Sequence, residues 1–384
     1  MTDSPRAADD SAADDTAEDS AGDAAEPTEA PAGERLPLTG RLGGLSRADR
    51  KRLLSLQLLI LASVAQAVVL FGWLIPVDLD APELANLNSW PLKLHWTRLL
   101  IETLTHWLGL ICIVIAIVQL LLRRPKRALA AAPLAALVLG QFLLDGVSPT
   151  PPPATGPTLK VASANLLMVN REFDNILDEL AAFDPDLILL QEYSPPWHGT
   201  LSKVLPARYP YRVYTTRRDS FGAAIYSKRP FVEHKTSVPV GEHEVPTERV
   251  VVEHGGRRVV VWNIHTLPPR RRDYVVEQVL QWRDLTKHWE QETAPLLVGG
   301  DFNWSERTIF HREMAARGFL EGHETGGVGF GATWPVLGVT RWLPGIRLDH
   351  LYTRNGLVVT RQQVGVGDGS DHRPLFAELR FAAD

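Results

Sequence analysis

Six short polar stretches of this sequence carry residue types able to do chemistry. Asn165 lies in an apolar run, and Glu192 closes another as Leu190-Gln191-Glu192. His265 ends the stretch Asn263-Ile264-His265, and Asp301 and Asn303 sit in Gly299-Gly300-Asp301-Phe302-Asn303. Asp349-His350 opens a late run, and Ser370-Asp371-His372-Arg373-Pro374 precedes the last. Glu192 and Asn165 offer a carboxylate and an amide carbonyl, hard oxygen donors of the kind that suits Mg²⁺ or Mn²⁺. Taken singly, each residue has an ordinary role: an Asn or Glu after a strand caps or turns, and a lone His is hydrogen-bonded. Six such placements in one region point to a shared rim, because chemistry in sheet proteins collects at the loops that leave the strands.

The elements that must position them alternate. Residues 159–167 read as a strand, followed by Phe173, Ile176, Leu177, Leu180 and Phe183 at helical spacing, with Asp184-Pro185 as the stop. Residues 187–190 read as a buried strand, and 250–253 with 258–264 as a hairpin around Gly255-Gly256. A helix is expected over 273–290, and strands over 296–298, 348–352, 357–364 and 375–379. No internal repeat is apparent. A chain of this length after residue 158 suffices for one α/β core.

Before that region the composition changes twice. The 384 residues hold 40 Lys and Arg against 45 Asp and Glu, unevenly placed. Residues 1–52 have 7 basic and 12 acidic side chains, 53–157 have 6 and 5, and 158–384 have 27 and 28. No section is basic enough for a protein that coats nucleic acid. The single cysteine, Cys112, leaves neither a disulfide framework nor a Cys-based zinc site. Residues 1–46 form an acidic tail whose composition predicts disorder; the cationic start and apolar core of a secretory signal are missing. Residues 53–75 and 103–122 are free of charged side chains and long enough to cross a hydrocarbon core of about 30 Å. Residues 128–144 are shorter, with Pro133 and Gly140, and a re-entrant segment has the same pattern. Residues 47–147 are thus a transmembrane region and 148–157, rich in Pro, a stiff spacer to a domain over 158–384.

Arg47, Arg50, Lys51 and Arg52 precede the first span, and Arg123, Arg124, Lys126 and Arg127 separate the second from the third. Positive-inside reasoning places both groups in the cytoplasm, so three crossings put the last domain outside it. Glu102 and His106, one helical turn apart, read as interfacial residues. Arg270, Arg271 and Arg272 read as a solvated helix entry, with contact to an anionic headgroup as the other reading.

In their order, the motifs Asn165, Gln191-Glu192, Ile225-Tyr226-Ser227, Asn263-Ile264-His265, Gly300-Asp301-Phe302-Asn303, Arg347-Leu348-Asp349 and Ser370-Asp371-His372 resemble the endonuclease/exonuclease/phosphatase superfamily. That group includes deoxyribonuclease I-like nucleases, inositol polyphosphate 5-phosphatases and neutral sphingomyelinases. The resemblance covers about 159–381 and implies a sandwich of two mostly antiparallel sheets with helices outside. It implies a metal-dependent hydrolase of phosphoesters, with Mg²⁺ or Mn²⁺ held at Asn165 and Glu192 and Asp371 as a support or second metal position. It further implies that Asp301 activates water, Asn303 orients it, His265 and His372 stabilise the phosphoryl group or protonate the leaving oxygen, and Asp349 fixes His372. The aromatic residue that often precedes this asparagine in the family is absent, and so is a basic, groove-filling insertion of the DNA-cleaving members.

Three readings follow: a membrane-anchored phosphoesterase facing outward, an extracytoplasmic nuclease, and a non-catalytic binding module on the same fold. The partners expected are the lipid bilayer and a phosphoester, whether phospholipid headgroup, inositol phosphate or nucleic acid; no stable protein partner is evident. Trp334, Pro335, Val336, Leu337, Trp342 and Leu343 form an aromatic stretch that either dips into a bilayer interface or packs on the core.

Overall fold

A computed structural model describes residues 46–384 except Ser237, Pro239, Leu343 and Asp384. Residues 1–45 of the acidic tail and Leu343 of the aromatic stretch therefore lie outside the described residues.

Three long helices come first: α1 (Arg47–Leu74), α2 (Trp90–Leu121) and α3 (Pro125–Asp145). Each is long and apolar enough to cross a membrane. Ser46 caps α1, its Oγ accepting from the Asp49 amide at 3.1 Å. Buried polar side chains tie the helices together. Ser55 Oγ donates to Gln119 Oε1 at 2.5 Å, Gln119 Nε2 returns a bond to the Ser55 carbonyl at 2.7 Å, and Arg127 donates to Ser55 Oγ at 2.8 Å. Gly109 lets α2 and α3 touch, since a Cβ there would lie 2.2 Å from Val138 Cγ2.

Twelve strands and five further helices follow: β1 (Ala154–Asn165), α4 (Phe173–Phe183), β2 (Leu187–Gln191), α5 (Pro195–Val204), β3 (Tyr211–Thr215), β4 (Ala223–Ser227), β5 (Phe231–Lys235), β6 (Glu248–His254), β7 (Arg257–His265), α6 (Arg272–Glu290), β8 (Leu296–Asp301), α7 (Ile309–Ala316), β9 (Leu320–Glu321), α8 (Gly322–Gly326), β10 (Asp349–Arg354), β11 (Leu357–Val364) and β12 (Leu375–Ala382). They form two six-stranded sheets, ordered β11-β12-β1-β2-β4-β3 and β5-β6-β7-β8-β10-β9. β1 starts at Ala154, inside the stretch whose prolines suggested a spacer. The β1–β12 register shifts between Thr155 and Leu159, an irregularity that accommodates Pro157.

Each sheet contains one parallel pair, β1 with β2 through α4 and β7 with β8 through α6; its other ladders are antiparallel. A β-α-β crossover brings both strands of a pair out at the same rim, and the register does the rest. Asn165 pairs with Gln191 in the first sheet, and His265 with Asp301 in the second. Asp349 then faces Asp301 across β10 and β8. Leu159, Val161, Leu187, Leu189, Val259 and Val261 belong to the core between the sheets. The alternate residues Ala162, Ala164, Ile188 and Leu190 face α4 and α5. That double burial explains why β2 is apolar throughout.

The helical region and the sandwich share a core. Leu79, Leu84, Leu92 and Leu99 pack with Trp262, Trp282 and other residues of β7 and α6. α2 begins at Trp90 and carries Lys93, Arg98 and Glu102 in its first half, where α6 and α7 lie against it. Glu102 is 1% exposed, which replaces the interfacial reading of this residue. It bonds Arg98 at 2.9 Å and Arg312 at 2.6 Å and accepts from the Ile309 amide at 3.2 Å, an anion at the N-terminus of α7. Trp96 donates to the Pro269 carbonyl at 2.9 Å, and Arg283 to the Leu79 and Ala81 carbonyls at 2.8 and 2.6 Å. The aromatic stretch divides: Val336 is buried, while Leu337 and Trp342 are exposed, as is Val339 between them. The Arg270–Arg272 cluster is exposed at the start of α6, with Arg271 paired to Asp273.

Removing one partner of a buried ion pair costs about 3–5 kcal/mol, because the other is left charged in a dry site. Glu102→Ala should therefore lower the melting temperature of the detergent-solubilised chain markedly, whereas Arg312→Ala, at a partly exposed partner, should cost less. Equal melting of Glu102→Ala and wild type would remove Glu102 as the junction's anchor.

Candidate active site

Asp301 is the hub of the rim. It ends β8, and Gly299 and Gly300 before it let the backbone run where side chains would collide. A Cβ on Gly299 would lie 2.8 Å from Leu189 Cδ1 of the opposite sheet; one on Gly300, at φ 139°, would lie 2.0 Å from the Ile264 carbonyl. Asp301 Oδ1 accepts from the Asn303 amide at 2.9 Å, a local turn that fixes the carboxylate. Oδ2 faces the pit: Asn165 Nδ2 stands 3.0 Å away, His265 Nε2 3.6 Å and His372 Nε2 3.7 Å.

The other side chains close round it. His372 Nδ1 meets Asp349 Oδ2 at 2.7 Å, and both are buried. Thr333 Oγ1 accepts from the Leu348 and Asp349 amides at 3.1 and 3.2 Å, holding the start of β10. Ser370 Oγ donates to the Asn165 carbonyl at 2.8 Å and accepts from the His372 amide at 3.1 Å, joining the two ends of the first sheet's contribution. Glu192, at φ 57°, accepts from the Met168 amide at 2.7 Å, and its Oε1 lies 3.4 Å from Asn165 Nδ2. Asn303, at φ 52°, donates its amide to the Thr266 carbonyl at 2.8 Å.

Seven of the eight expected residues thus stand at one rim: Asn165, Glu192, His265, Asp301, Asn303, Asp349 and His372. Asp371 turns to Trp334 Nε1 at 3.4 Å, and its Oδ1 is buried with no hydrogen-bond partner among the described residues. Burial opposes the charge of His372, but the carboxylates of Asp349 and Asp301 outweigh it and hold its pKa up to about 10. The imidazole is therefore protonated at neutral pH.

Three acids, Asp301, Asp349 and Glu192, meet here, and among the described residues the side chains facing Asp301 Oδ2 are Asn165, His265 and His372. Asp301, Asp349 and His372 each offer a ligand atom within 4.8 Å of the others, a group able to hold a metal ion. As an imidazolium, however, His372 has no lone pair for a metal, and Asp349 is already committed to its Nδ1. Glu192 and Asp301, bridged by the Asn165 amide, present hard oxygens with negative charge in excess, a donor set that fits a divalent ion such as Mg²⁺ or Mn²⁺.

Behind the rim lies a polar network that sequence reasoning missed in role. Gln191 Nε2 donates to Asn263 Oδ1 at 2.6 Å, linking the two sheets through the core. Asn263 Nδ2 reaches the Leu190 and Ala224 carbonyls at 2.9 and 3.1 Å, and Glu248 at 3.4 Å. A second network holds β10: Arg347 and His350 bond Glu321 at 3.0 and 3.3 Å. Burial works against ionisation of Glu321, yet Arg347 and His350 overcome it and keep its carboxyl well below the usual range. Glu248 and Glu321 carried no signal in the sequence, since each acts only through partners distant along the chain.

The sequence profile of the Endonuclease/Exonuclease/phosphatase family matches residues 162–372. The chain belongs to that family. Its members are metal-dependent phosphoesterases, and the match begins in β1 and ends at His372. Among solved structures, the chain is similar to an endonuclease/exonuclease/phosphatase from Beutenbergia cavernae, at 18% identity over 59% of this chain and 72% of that one, with a TM-score of 0.48. A family protein from Leptotrichia buccalis matches at 14% identity over 58% and 100%, with a TM-score of 0.49. Humanized D. rerio TDP2 matches at 18% over 58% and 99%, with a TM-score of 0.48. No curated protein matches the sequence.

Burial raises the Glu248 pKa from 4.5 to about 8, so between those values the folded chain keeps a proton that the unfolded chain has lost. Stability should fall as pH rises through this window, and Glu248→Gln should flatten the fall. Melting temperatures between pH 5 and 9 check it; an equal slope in the variant would show that Glu248 is ionised in the fold.

Proposed function

We propose that this protein is a membrane-anchored, metal-dependent phosphoesterase that hydrolyses a phosphodiester or phosphomonoester by attack of an activated water. One observation carries the reading: Asp301 Oδ2 stands 3.0–3.7 Å from Asn165, His265 and His372, and His372 is itself fixed by Asp349. Glu192 would hold Mg²⁺ or Mn²⁺ together with Asn165, whose amide would turn to present the carbonyl that accepts from the Leu167 amide; the ion would neutralise charge on the phosphoryl oxygens. Asp301 takes the proton of the attacking water, and the Asn303 amide orients that water and the phosphate. His265 and charged His372 donate to phosphoryl oxygens, and His372 is placed to protonate the leaving oxygen. Asp349 holds the imidazole in position and keeps it basic. Asp371 supports the loop that presents His372.

The three apolar helices support anchoring in a membrane, and the flanking arginines support a cytoplasmic N-terminus with the catalytic region outside. A phosphoester at a bilayer surface is the substrate class favoured over nucleic acid. Leu337, Val339 and Trp342 are exposed on the loop before Asp349, and Phe330 stacks on Phe142 of α3 at 4.3 Å, so apolar surface continues from helix to loop.

The full chain, reconstituted with Mg²⁺ or Mn²⁺, should hydrolyse members of a panel of phospholipids, inositol phosphates and DNA, and EDTA should abolish the activity. Asp301→Asn should cost about 10²–10⁴-fold in kcat, the usual worth of a placed base. Activity that survives EDTA or Asp301→Asn would sink the mechanism.

His372→Ala and Asp349→Ala should each be severe, and the double variant little worse than the worse single one, since the two act as a unit. Strictly additive losses would mean that the pair does not work together.

A reporter active only outside the cytoplasm, fused after Phe381, should be active. Activity of a cytoplasm-only reporter at that position would instead favour an intracellular phosphoester.

A further inference from the structure

A cavity of about 470 Å³ opens where α2 and α3 meet loop residues 330–342 and 344–347. None of the residues proposed for hydrolysis lines it. One wall is apolar and belongs to the helices: Leu110 and Ile113 on α2, Val138, Leu139 and Phe142 on α3. Leu139 and Phe142 are also 48% and 41% exposed, so this wall continues onto the outer surface of the bundle. The other end is cationic on balance, lined by Arg307, Arg341, Arg347 and Arg373 against one carboxylate, Glu306.

These arginines are not equivalent. Arg307 pairs with Glu306, Arg341 with Asp368 and Arg347 with Glu321. Arg373 donates to the Ala332 carbonyl at 3.2 Å and has no carboxylate partner among the described residues; Arg341, of like sign, is the charge that acts on it. His106 lines the same cavity at 4% exposure, its ring facing the backbone of Thr103 and Pro344. A guanidinium without a counter-charge in a partly dry cavity is costly unless something anionic meets it. A phosphate would meet it, with the His106 imidazole beside it. A free phosphate leaves the apolar wall in contact with nothing of its own kind, whereas a phospholipid covers both ends with one molecule. A second cavity of about 710 Å³ shares Glu306, Arg307 and Arg347, but Arg98, Glu102, Arg312 and Glu324 also line it, so it offers an acyl chain no comparable wall.

We infer that this cavity binds one anionic phospholipid from the surrounding membrane, its phosphate at Arg373 and His106 and an acyl chain along Leu110, Ile113, Val138 and Leu139. The inference rests on the membrane placement proposed above and not on the hydrolytic reading. The lipid is a resident ligand rather than the substrate, because its phosphate would touch no group proposed to act in hydrolysis. Its site is nevertheless wired to that rim: Arg373 follows His372, and its amide donates at 2.9 Å to the carbonyl of Thr333, whose Oγ1 holds Asp349.

The test uses the full chain, extracted from membranes, stripped of lipid in detergent and examined by native mass spectrometry with added phosphatidylglycerol, phosphatidylcholine or inorganic phosphate. One phosphatidylglycerol should be retained in preference to phosphatidylcholine, and inorganic phosphate should not displace it. Arg373→Gln should weaken retention about tenfold, as expected for one charge-assisted hydrogen bond, and Arg373→Lys should restore part of it. Leu139→Trp, which fills the apolar wall without touching a charge, should weaken binding of the same lipid. Equal binding of both lipids, full displacement by inorganic phosphate, or wild-type retention in both Arg373→Gln and Leu139→Trp would overturn the inference. Recovery of the chain in the soluble fraction would fail the membrane placement and the lipid site together, while a membrane-bound chain without lipid preference fails the lipid site alone.

Discussion

One hydrogen bond between two buried amides sets the geometry on which the rest depends. Gln191 at the end of β2 meets Asn263 near the end of β7 at 2.6 Å, through the middle of the sandwich. Each residue lies beside one that reaches the rim: Glu192 follows Gln191, and His265 stands two places after Asn263. Sheets packed only by aliphatic side chains can slide by fractions of a residue at little cost, whereas a buried amide pair loses its partner when they do. The bond therefore fixes the spacing between the first sheet's Asn165 and Glu192 and the second sheet's His265 and Asp301. Gly299 serves the same end by leaving room for Leu189 beneath Asp301.

On that frame the electrostatics follow from crowding. Asp301 and Asp349 are both nearly inaccessible to water, and two buried carboxylates so close would repel one another if left alone. The imidazolium of His372 between them relieves the repulsion at the cost of its own desolvation, and the balance falls on the charged side. The pit still holds Glu192, which gives a divalent ion a reason to bind there.

The junction with the helices is built from the same materials as the sandwich. Leucines between α1 and α2 complete a core otherwise made by β7 and α6, and the buried carboxylate of Glu102 is satisfied by two arginines and an α7 amide. A connection of this kind makes the helical region part of the folded unit rather than a loose tether. It also gives the loop before Asp349 a fixed place beside the ends of the apolar helices, where Phe330 stacks on Phe142.

Much of this was legible in the residues themselves. Long uncharged runs must avoid water wherever they end up, so the three helices show in the composition. Short apolar runs closed by polar residues mark strand ends, and Gly255-Gly256 marks a hairpin, because local backbone physics alone decides these. The order of motifs from Asn165 to His372 was enough to indicate the family. Other features were set by partners far along the chain. Glu102 looks like an interfacial acid until Arg98, Arg312 and the Ile309 amide surround it. Glu248 and Glu321 are ordinary glutamates until the fold removes their water, raising the carboxyl pKa of one and lowering that of the other. Sequence determined which residues could ionise, hydrogen-bond or enter a bilayer, since those are properties of single side chains and short periods. Only the tertiary structure decided which of them meet, because the free energy of a buried charge or amide depends on neighbours that the chain brings together from far apart.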